Sequence, residues 1–198
     1  DRFGPIFAQG YGQTESGPDI SILSRESNNV VDNTAEEQKV LTSCGQPCLW
    51  VHARIIDDTG EDVKPGIVGD IIVQSKSVMV GYWKKPELTA ETIVDGWLHT
   101  GDMGYYDERG YMYIVDRKKD LVISGGENVY PREVEEVLYR HPAVSECAVI
   151  GVPDEKWVER VHAVIVLKTN HSATADEIIN FCKENLARYK APRTIEFV

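Results

Sequence analysis

The sequence is short of positive charge. It carries 21 Lys and Arg against 32 Asp and Glu in 198 residues, a formal net charge of −11. A protein that reads a nucleic-acid backbone needs a basic face, so nucleic acid is excluded as the default partner. Small anions stay open, because they need only a few local donors. No apolar run approaches the roughly 20 residues of a membrane-spanning helix. Four cysteines are too few to staple a chain this long, which points to a reducing, cytoplasmic setting. No signal-peptide pattern opens the chain, and position 1 is Asp rather than Met. The last residues, Ile195-Glu196-Phe197-Val198, break off inside an apolar, strand-like run, so both ends read as cuts in a longer protein. Internal repeats and low-complexity tracts are absent.

What is present is a chain able to bury a core: 42% of its residues are hydrophobic, enough for one or two globular domains. It is organised around Asp116 to Pro131. Five consecutive charged residues, Asp116-Arg117-Lys118-Lys119-Asp120, run into Leu121-Val122-Ile123-Ser124, then Gly125-Gly126-Glu127-Asn128-Val129-Tyr130-Pro131. Such a charged run reads as an exposed joint between packed units. Gly125-Gly126 permits positive φ or close approach to a ligand, and Pro131 suits a first helical position. Taken alone, the stretch reads as a surface hairpin feeding a helix.

Before this joint, Gln9-Gly10-Tyr11-Gly12-Gln13-Thr14-Glu15 offers backbone freedom at its glycines, a hydroxyl at Thr14 and a hard carboxylate at Glu15. These would suit a metal-bound phosphate, although a plain surface turn also accounts for them. Ser24 to Lys39 is polar and reads as a surface loop with a short helical turn. Cys44, Cys48 and His52 have metal-like spacing. Gly45 and Pro47 block the helix that would align them, and a fourth ligand is missing, so they read as packed or surface residues. From Leu49 onward, alternating apolar residues and turns at Asp57-Asp58-Thr59-Gly60, Pro65-Gly66 and Asp107-Glu108-Arg109-Gly110 give a small barrel or twisted sheet over 49–116. Asp102, after a tight Thr100-Gly101 turn, is either a turn cap or an acceptor for a vicinal diol.

After the joint, Pro131 to Arg140 is a helix with Val134, Val137 and Leu138 on one face. Val144–Val152 and Val161–Leu167 are strands. Thr174 and Glu177 form a capping box ahead of an Ile178, Cys182, Leu186 stripe. A last strand starts at Thr194. The fold class is α+β, with a strand-rich part over 1–116, a hinge over 117–120 and a small α+β domain over 121–198.

Taken together, the ordered set Tyr11-Gly12-Gln13-Thr14-Glu15, Gly81-Tyr82-Trp83, Trp97-Leu98-His99-Thr100-Gly101-Asp102, Asp116 to Asp120 with Gly125-Gly126-Glu127, and Arg188-Tyr189-Lys190-Ala191-Pro192 resembles the adenylate-forming acyl-CoA synthetase family. The resemblance implies the end of a large adenylation domain, a hinge and most of a mobile C-terminal domain. It further implies an acid–thiol ligase that uses ATP, Mg²⁺ and coenzyme A on a carboxylic acid, fatty or aromatic, with release of AMP and pyrophosphate. A place in fatty-acid or lipid metabolism and a homodimer of the full-length protein go with it.

By the same resemblance, Thr14 contacts the α-phosphate and Glu15 holds the metal. Tyr11 and Gly12 line the adenine and acyl pockets, Ile114 packs near the adenine, and Asp102 and Arg117 take the ribose. Lys119 is the hinge position, and Ser124, Gly125, Gly126 and Glu127 line the channel for the pantetheine arm of coenzyme A. The sequence departs from the family in several places. The upstream Ser/Thr/Gly-rich phosphate loop and the C-terminal Gly-Lys lysine are missing, so the chain alone is expected to be inactive in adenylation. Gln74-Ser75 replaces a common Arg-Gly. Val158 stands where relatives usually carry Gly, and the loop there is expected to have adjusted away from positive φ. Two alternatives stay open: an amino-acid adenylation domain of a peptide synthetase, and a non-catalytic nucleotide- or CoA-binding module.

Overall fold

The computed structural model describes residues 6–28 and 34–198. The chain divides into two compact units, Asp1–Val115 and Asp116–Val198.

The first unit opens with a three-stranded antiparallel sheet in the order β1 (Gln9–Gln13), β2 (Gly17–Leu23), β3 (Gln46–Pro47). In the β1–β2 ladder Tyr11 faces Ser21 and Gln13 faces Gly17, so Gly12 alone lies opposite Pro18 to Ile20. That bulge sits at Pro18, which could not donate to a ladder in any case. Two short helices follow, α1 (Arg25–Asn28) and α2 (Ala35–Val40). The expected polar loop is thus more helical than it reads. Thr34 and Glu37 cap α2 reciprocally, a capping box written in the sequence. Part of that expected loop, residues 29–33, lies outside the described residues.

A second sheet orders β4 (His52–Ile56), β5 (Gly69–Gln74), β7 (Trp97–Tyr106) and β6 (Ile93–Val94), with β8 (Met112–Arg117) on β7. Among the described residues no ladder closes it, so it is a half-barrel. One face buries Ile55, Ile71, Val73, Leu98 and Met112. The helix α3 (Pro86–Thr92) was not legible as an apolar stripe because it buries nothing; Pro86 at its first position is its sequence mark. A smaller cluster joins Leu23, Val40, Tyr111 and Tyr113, with Tyr105 and Tyr113 stacked 4.8 Å apart under the Lys39 ammonium.

In the second unit a 3₁₀ turn over Lys118–Asp120 leads to the hairpin β9 (Val122–Ser124) and β10 (Glu127–Val129). Then come α4 (Pro131–Tyr139), β11 (Val144–Asp154), β12 (Val158–Leu167), α5 (Ala175–Asn185) and β13 (Thr194–Phe197). The sheet runs β10-β9-β12-β11, with β13 parallel to β12. Val134, Val137 and Leu138 of α4 and Ile178 and Cys182 of α5 cover it, as their spacing predicts. The charged run is not uniformly exposed. Asp116 accepts from the backbone N–H of Arg117 at 2.8 Å and of Arg132 at 3.0 Å. It thereby satisfies a first-turn donor of α4, whose N-cap residue Tyr130 makes no side-chain cap.

The expectation at Val158 fails: it does sit at positive φ, 69°. The β11–β12 ladder pairs it with Asp154, and it also pairs with Ser124 of β9. Held by both neighbours, the backbone keeps the left-handed shape against the steric preference of a β-branched residue.

Candidate active site

In the first unit the chemistry gathers at the β1–β2 turn and the middle of β7. Thr14, Glu15 and Ser16 form the turn. Ser16 is buried and closes it from within: its Oγ accepts from Gln13 N at 2.9 Å and donates toward Gln13 O at 3.1 Å. Thr14 is exposed at the tip and Glu15 is half-buried. Gly12 does not supply positive φ. Its reason is proximity, since a Cβ there would lie 2.2 Å from Pro18 O.

Asp102 is buried and accepts two side-chain hydrogen bonds on one oxygen, from the Tyr11 hydroxyl at 2.7 Å and from Gln13 Nε2 at 2.7 Å. Gln13 Nε2 also donates to Thr100 O at 2.9 Å. The expected tight turn at Thr100-Gly101 is instead a bulge inside a continuous strand: three residues of β7 stand opposite the single Ile71 of β5. Gly101 takes the positive φ, 75°, that the bulge needs. Thr100 Oγ1 donates to Ile71 O at 2.8 Å and accepts from Asp102 N at 3.1 Å, which restores the interrupted ladder and aims the carboxylate. Burial, then the bond to Asp102, pushes the Tyr11 phenol far above its ordinary range, so it stays a donor. Ile114 packs half-buried against the same core. Gln13 and Thr100 lie inside quoted motifs, yet only the ladder shows their part.

In the second unit Arg117 and Lys119 are exposed. Gly125 and Gly126 form a two-residue hairpin turn, both at positive φ, 65° and 85°. Ser124 is buried and Glu127 exposed. The close approach at Gly125 is made by the protein itself. A Cβ there would lie 2.7 Å from the Trp157 ring, and Gly125 N donates to Trp157 O at 2.8 Å. The Arg193 guanidinium covers that ring at 4.1 Å. At Gly126 nothing stands within 4 Å, so its open side can take a ligand. Lys190 of the Arg188–Pro192 motif makes a two-pronged ion pair with Glu133 of α4, at 2.6 and 2.7 Å.

Cys44 and Cys48 belong to the first unit's core, the Cys44 thiol donating to Met112 O at 3.1 Å, while His52 is exposed. Among the described residues no cluster of three or more His, Cys, Asp or Glu could hold a metal ion by itself. Mg²⁺ does not need one. It is held by one or two carboxylates together with substrate phosphates and water, and Glu15, half-buried beside the exposed Thr14, fits that pattern.

Two family descriptions match the chain: AMP-binding enzyme over residues 1–83, and AMP-binding enzyme C-terminal domain over residues 133–198. The chain is 44% identical to a feruloyl-CoA synthase of an Amycolatopsis species over 98% of its own length and 38% of that protein's. It is also 44% identical to the medium/long-chain-fatty-acid–CoA ligase FadD8 of Mycobacterium tuberculosis, over all of itself and 34% of that protein. It therefore spans little more than a third of the curated relatives it matches. Among solved structures it superposes on Bacillus subtilis o-succinylbenzoate CoA synthetase bound to the acyl-adenylate intermediate OSB-AMP. The TM-score is 0.84 at 39% identity, covering 96% of this chain and 37% of that one. The same enzyme with ATP and magnesium ion matches with a TM-score of 0.82 at 38% identity. With these matches and both family descriptions on one chain, the protein belongs to the AMP-binding enzyme family.

Proposed function

We propose that the chain is part of an ATP-dependent carboxylic acid–CoA ligase. A carboxylate oxygen attacks the α-phosphorus of ATP, the bond to pyrophosphate breaks, and acyl-AMP results. The thiolate of coenzyme A then attacks the acyl carbonyl and AMP leaves with the bonding electrons. The observation that carries this reading is the Tyr11–Gln13–Asp102 cluster at the foot of the Thr14–Glu15 turn. A rigidly held carboxylate near a turn that carries a hydroxyl and a second carboxylate supports a ribose diol and a metal-bound phosphate as the groups recognised.

In the first half-reaction Thr14 donates to a phosphate oxygen as negative charge builds there, and Asp102 orients the ribose. Tyr11 and Gly12 bound the adenine and acyl pockets, Ile114 lies near the adenine, and Arg117 reaches the ribose. Glu15 holds Mg²⁺, which supplies charge neutralisation on the phosphate oxygens. In the second half-reaction Ser124, Gly125, Gly126 and Glu127 border the pantetheine path, with Gly126 giving the close approach. Lys119 is the residue whose torsions change between the two halves. A fatty or aromatic acid as substrate is supported by relatives named for both. A reducing, cytoplasmic setting is supported by four free cysteines, and no helix among the described residues is long and apolar enough to cross a membrane.

The test incubates full-length protein with ATP, coenzyme A and a panel of fatty and aromatic acids. AMP and acyl-CoA are the expected products. Carboxylate-independent ATP hydrolysis, or loading of a carrier protein but never of coenzyme A, would overturn the assignment. Ultracentrifugation of the same sample reads the expected homodimer.

A further inference from the structure

Glu15 is gripped from a distant part of the chain. Three hydrogen bonds from residues 77–82 reach the Glu15–Ser16 corner. Ser77 Oγ donates to Ser16 O at 2.8 Å, Met79 N donates to Glu15 O at 2.8 Å, and the Tyr82 hydroxyl donates to Glu15 Oε1 at 2.9 Å. The first two fix the peptide; the third fixes the carboxylate. The gripping segment is itself anchored on α3. Tyr82 N donates to Thr89 Oγ1 at 2.9 Å, and that hydroxyl donates to Lys85 O at 2.9 Å. Gly81, at φ 145°, lets the chain lie against Thr89, where a Cβ would meet Thr89 Cγ2 at 2.6 Å. The Gly-Tyr pair is thus explained by what it touches.

We propose that Tyr82 is a positioning residue for the Glu15 carboxylate, and that residues 77–82 form a clamp presenting this carboxylate to Mg²⁺. The proposal rests on the metal role given to Glu15 above. A lone Glu side chain samples several rotamers, and its carboxyl group turns freely. One oxygen held by a phenol leaves the other with a single direction. Where the protein supplies so few ligands, that direction decides affinity, as outer partners do at other metal sites.

The test uses full-length protein with a non-hydrolysable ATP analogue, reading bound Mn²⁺ by electron paramagnetic resonance. Mg²⁺ titrations of adenylation run in parallel. Tyr82→Phe is expected to weaken Mn²⁺ about tenfold, to raise the half-saturating Mg²⁺ by the same factor, and to recover its lost rate as Mg²⁺ is raised. Ser77→Ala, which loosens the other side of the clamp, should move both quantities the same way by less. A merely structural tyrosine would lower the melting temperature without moving the metal dependence. If Glu15→Ala abolishes Mn²⁺ binding while Tyr82→Phe and Ser77→Ala leave it unchanged, the clamp is wrong and the metal assignment stands. If Glu15→Ala leaves Mn²⁺ binding intact, the metal assignment falls and the clamp falls with it. Should Tyr82→Phe fold poorly, Ser77→Ala carries the test, and an unchanged metal dependence there overturns the clamp.

Discussion

Two hairpin turns, one in each unit, hold their shape by opposite means. The Thr14–Ser16 turn contains no glycine. It is fixed by the buried Ser16 hydroxyl and by donors from Ser77, Met79 and Tyr82, more than sixty residues along the chain. The Gly125–Gly126 turn needs no side chain of its own, because two positive-φ residues suffice. The first turn offers functional groups, whereas the second offers space. Substitutions in the first unit should therefore act through lost chemistry, and those in the second through lost shape. The two proposed half-reactions separate these effects.

The largest effect expected is on the first turn. Glu15→Ala in full-length enzyme should lower acyl-AMP formation by ~10²–10³, the usual cost of removing one group that acts on developing phosphate charge. Thioester formation from supplied acyl-AMP should stay near wild type. Equal losses in both halves, measured by pyrophosphate exchange and by acyl-CoA release, would break the comparison.

Next comes the joint. Lys119→Pro sets φ near roughly −65° and should trap one arrangement. One half-reaction is then expected to survive and the other to fall about 10²-fold, as misplaced reacting groups do. Because Asp116 is tied to α4 through Arg132 N, the change should fall after Asp116 and leave that cap intact. Equal reductions in the two half-reactions, or none in either, would remove Lys119 as the pivot.

The second turn should respond more mildly. Gly126→Ala meets no atom within 4 Å, so its cost to the fold is only that of a side chain at positive φ, about 1 kcal/mol. Any further loss reports an incoming ligand. Thioester formation is expected to drop about tenfold, while pyrophosphate exchange holds; for scale, ~1.4 kcal/mol is a factor of ten. A thioester step as fast as wild type would mean that the coenzyme passes elsewhere.

The same contrast governs what could be read in advance. In the second unit the core was legible, because Val134, Val137 and Leu138, and Ile178 and Cys182, repeat at helical spacing and the sheet needs their apolar faces. The Gly125-Gly126 pair and the Thr174–Glu177 box announce local geometry through local residues. In the first unit the individual groups stood in motifs, but their partners did not. Nothing in the sequence pairs Tyr11 with Asp102, 91 positions away, or Tyr82 with Glu15, 67 positions away. The β7 bulge is equally silent: Thr100-Gly101-Asp102 reads as a turn, and only the register against Ile71 makes it a bulge. Local steric rules reveal backbone conformation; they do not reveal which distant strands bring two side chains together. Trp157 is a further partner that the sequence does not announce: the close approach allowed at Gly125 is made to its indole ring.

The smallest effect tests whether shape alone rules the second unit. Val158 holds φ at 69° with 69% of its surface exposed, so its side chain gains little by packing. Non-glycine residues kept in such regions cost on the order of 1–3 kcal/mol. Val158→Gly removes that strain but adds backbone freedom to the unfolded chain, which costs about 0.5–1 kcal/mol. The balance favours the variant by about 1 kcal/mol, or roughly 2–4 °C in melting temperature for a chain of this size. Val158→Asn, a residue that tolerates the left-handed region, should gain part of this. Val158→Ala, which keeps a Cβ at the same φ, should gain less. Calorimetry reads the shift, and hydrogen exchange at the β11–β12 and β9–β10 hairpins shows where it arises. Protection should rise there and stay constant around Tyr11 and Asp102. If Val158→Gly melts at or below wild type, the Val158 backbone is unstrained, and the second unit depends on side-chain packing more than its glycine turn suggests.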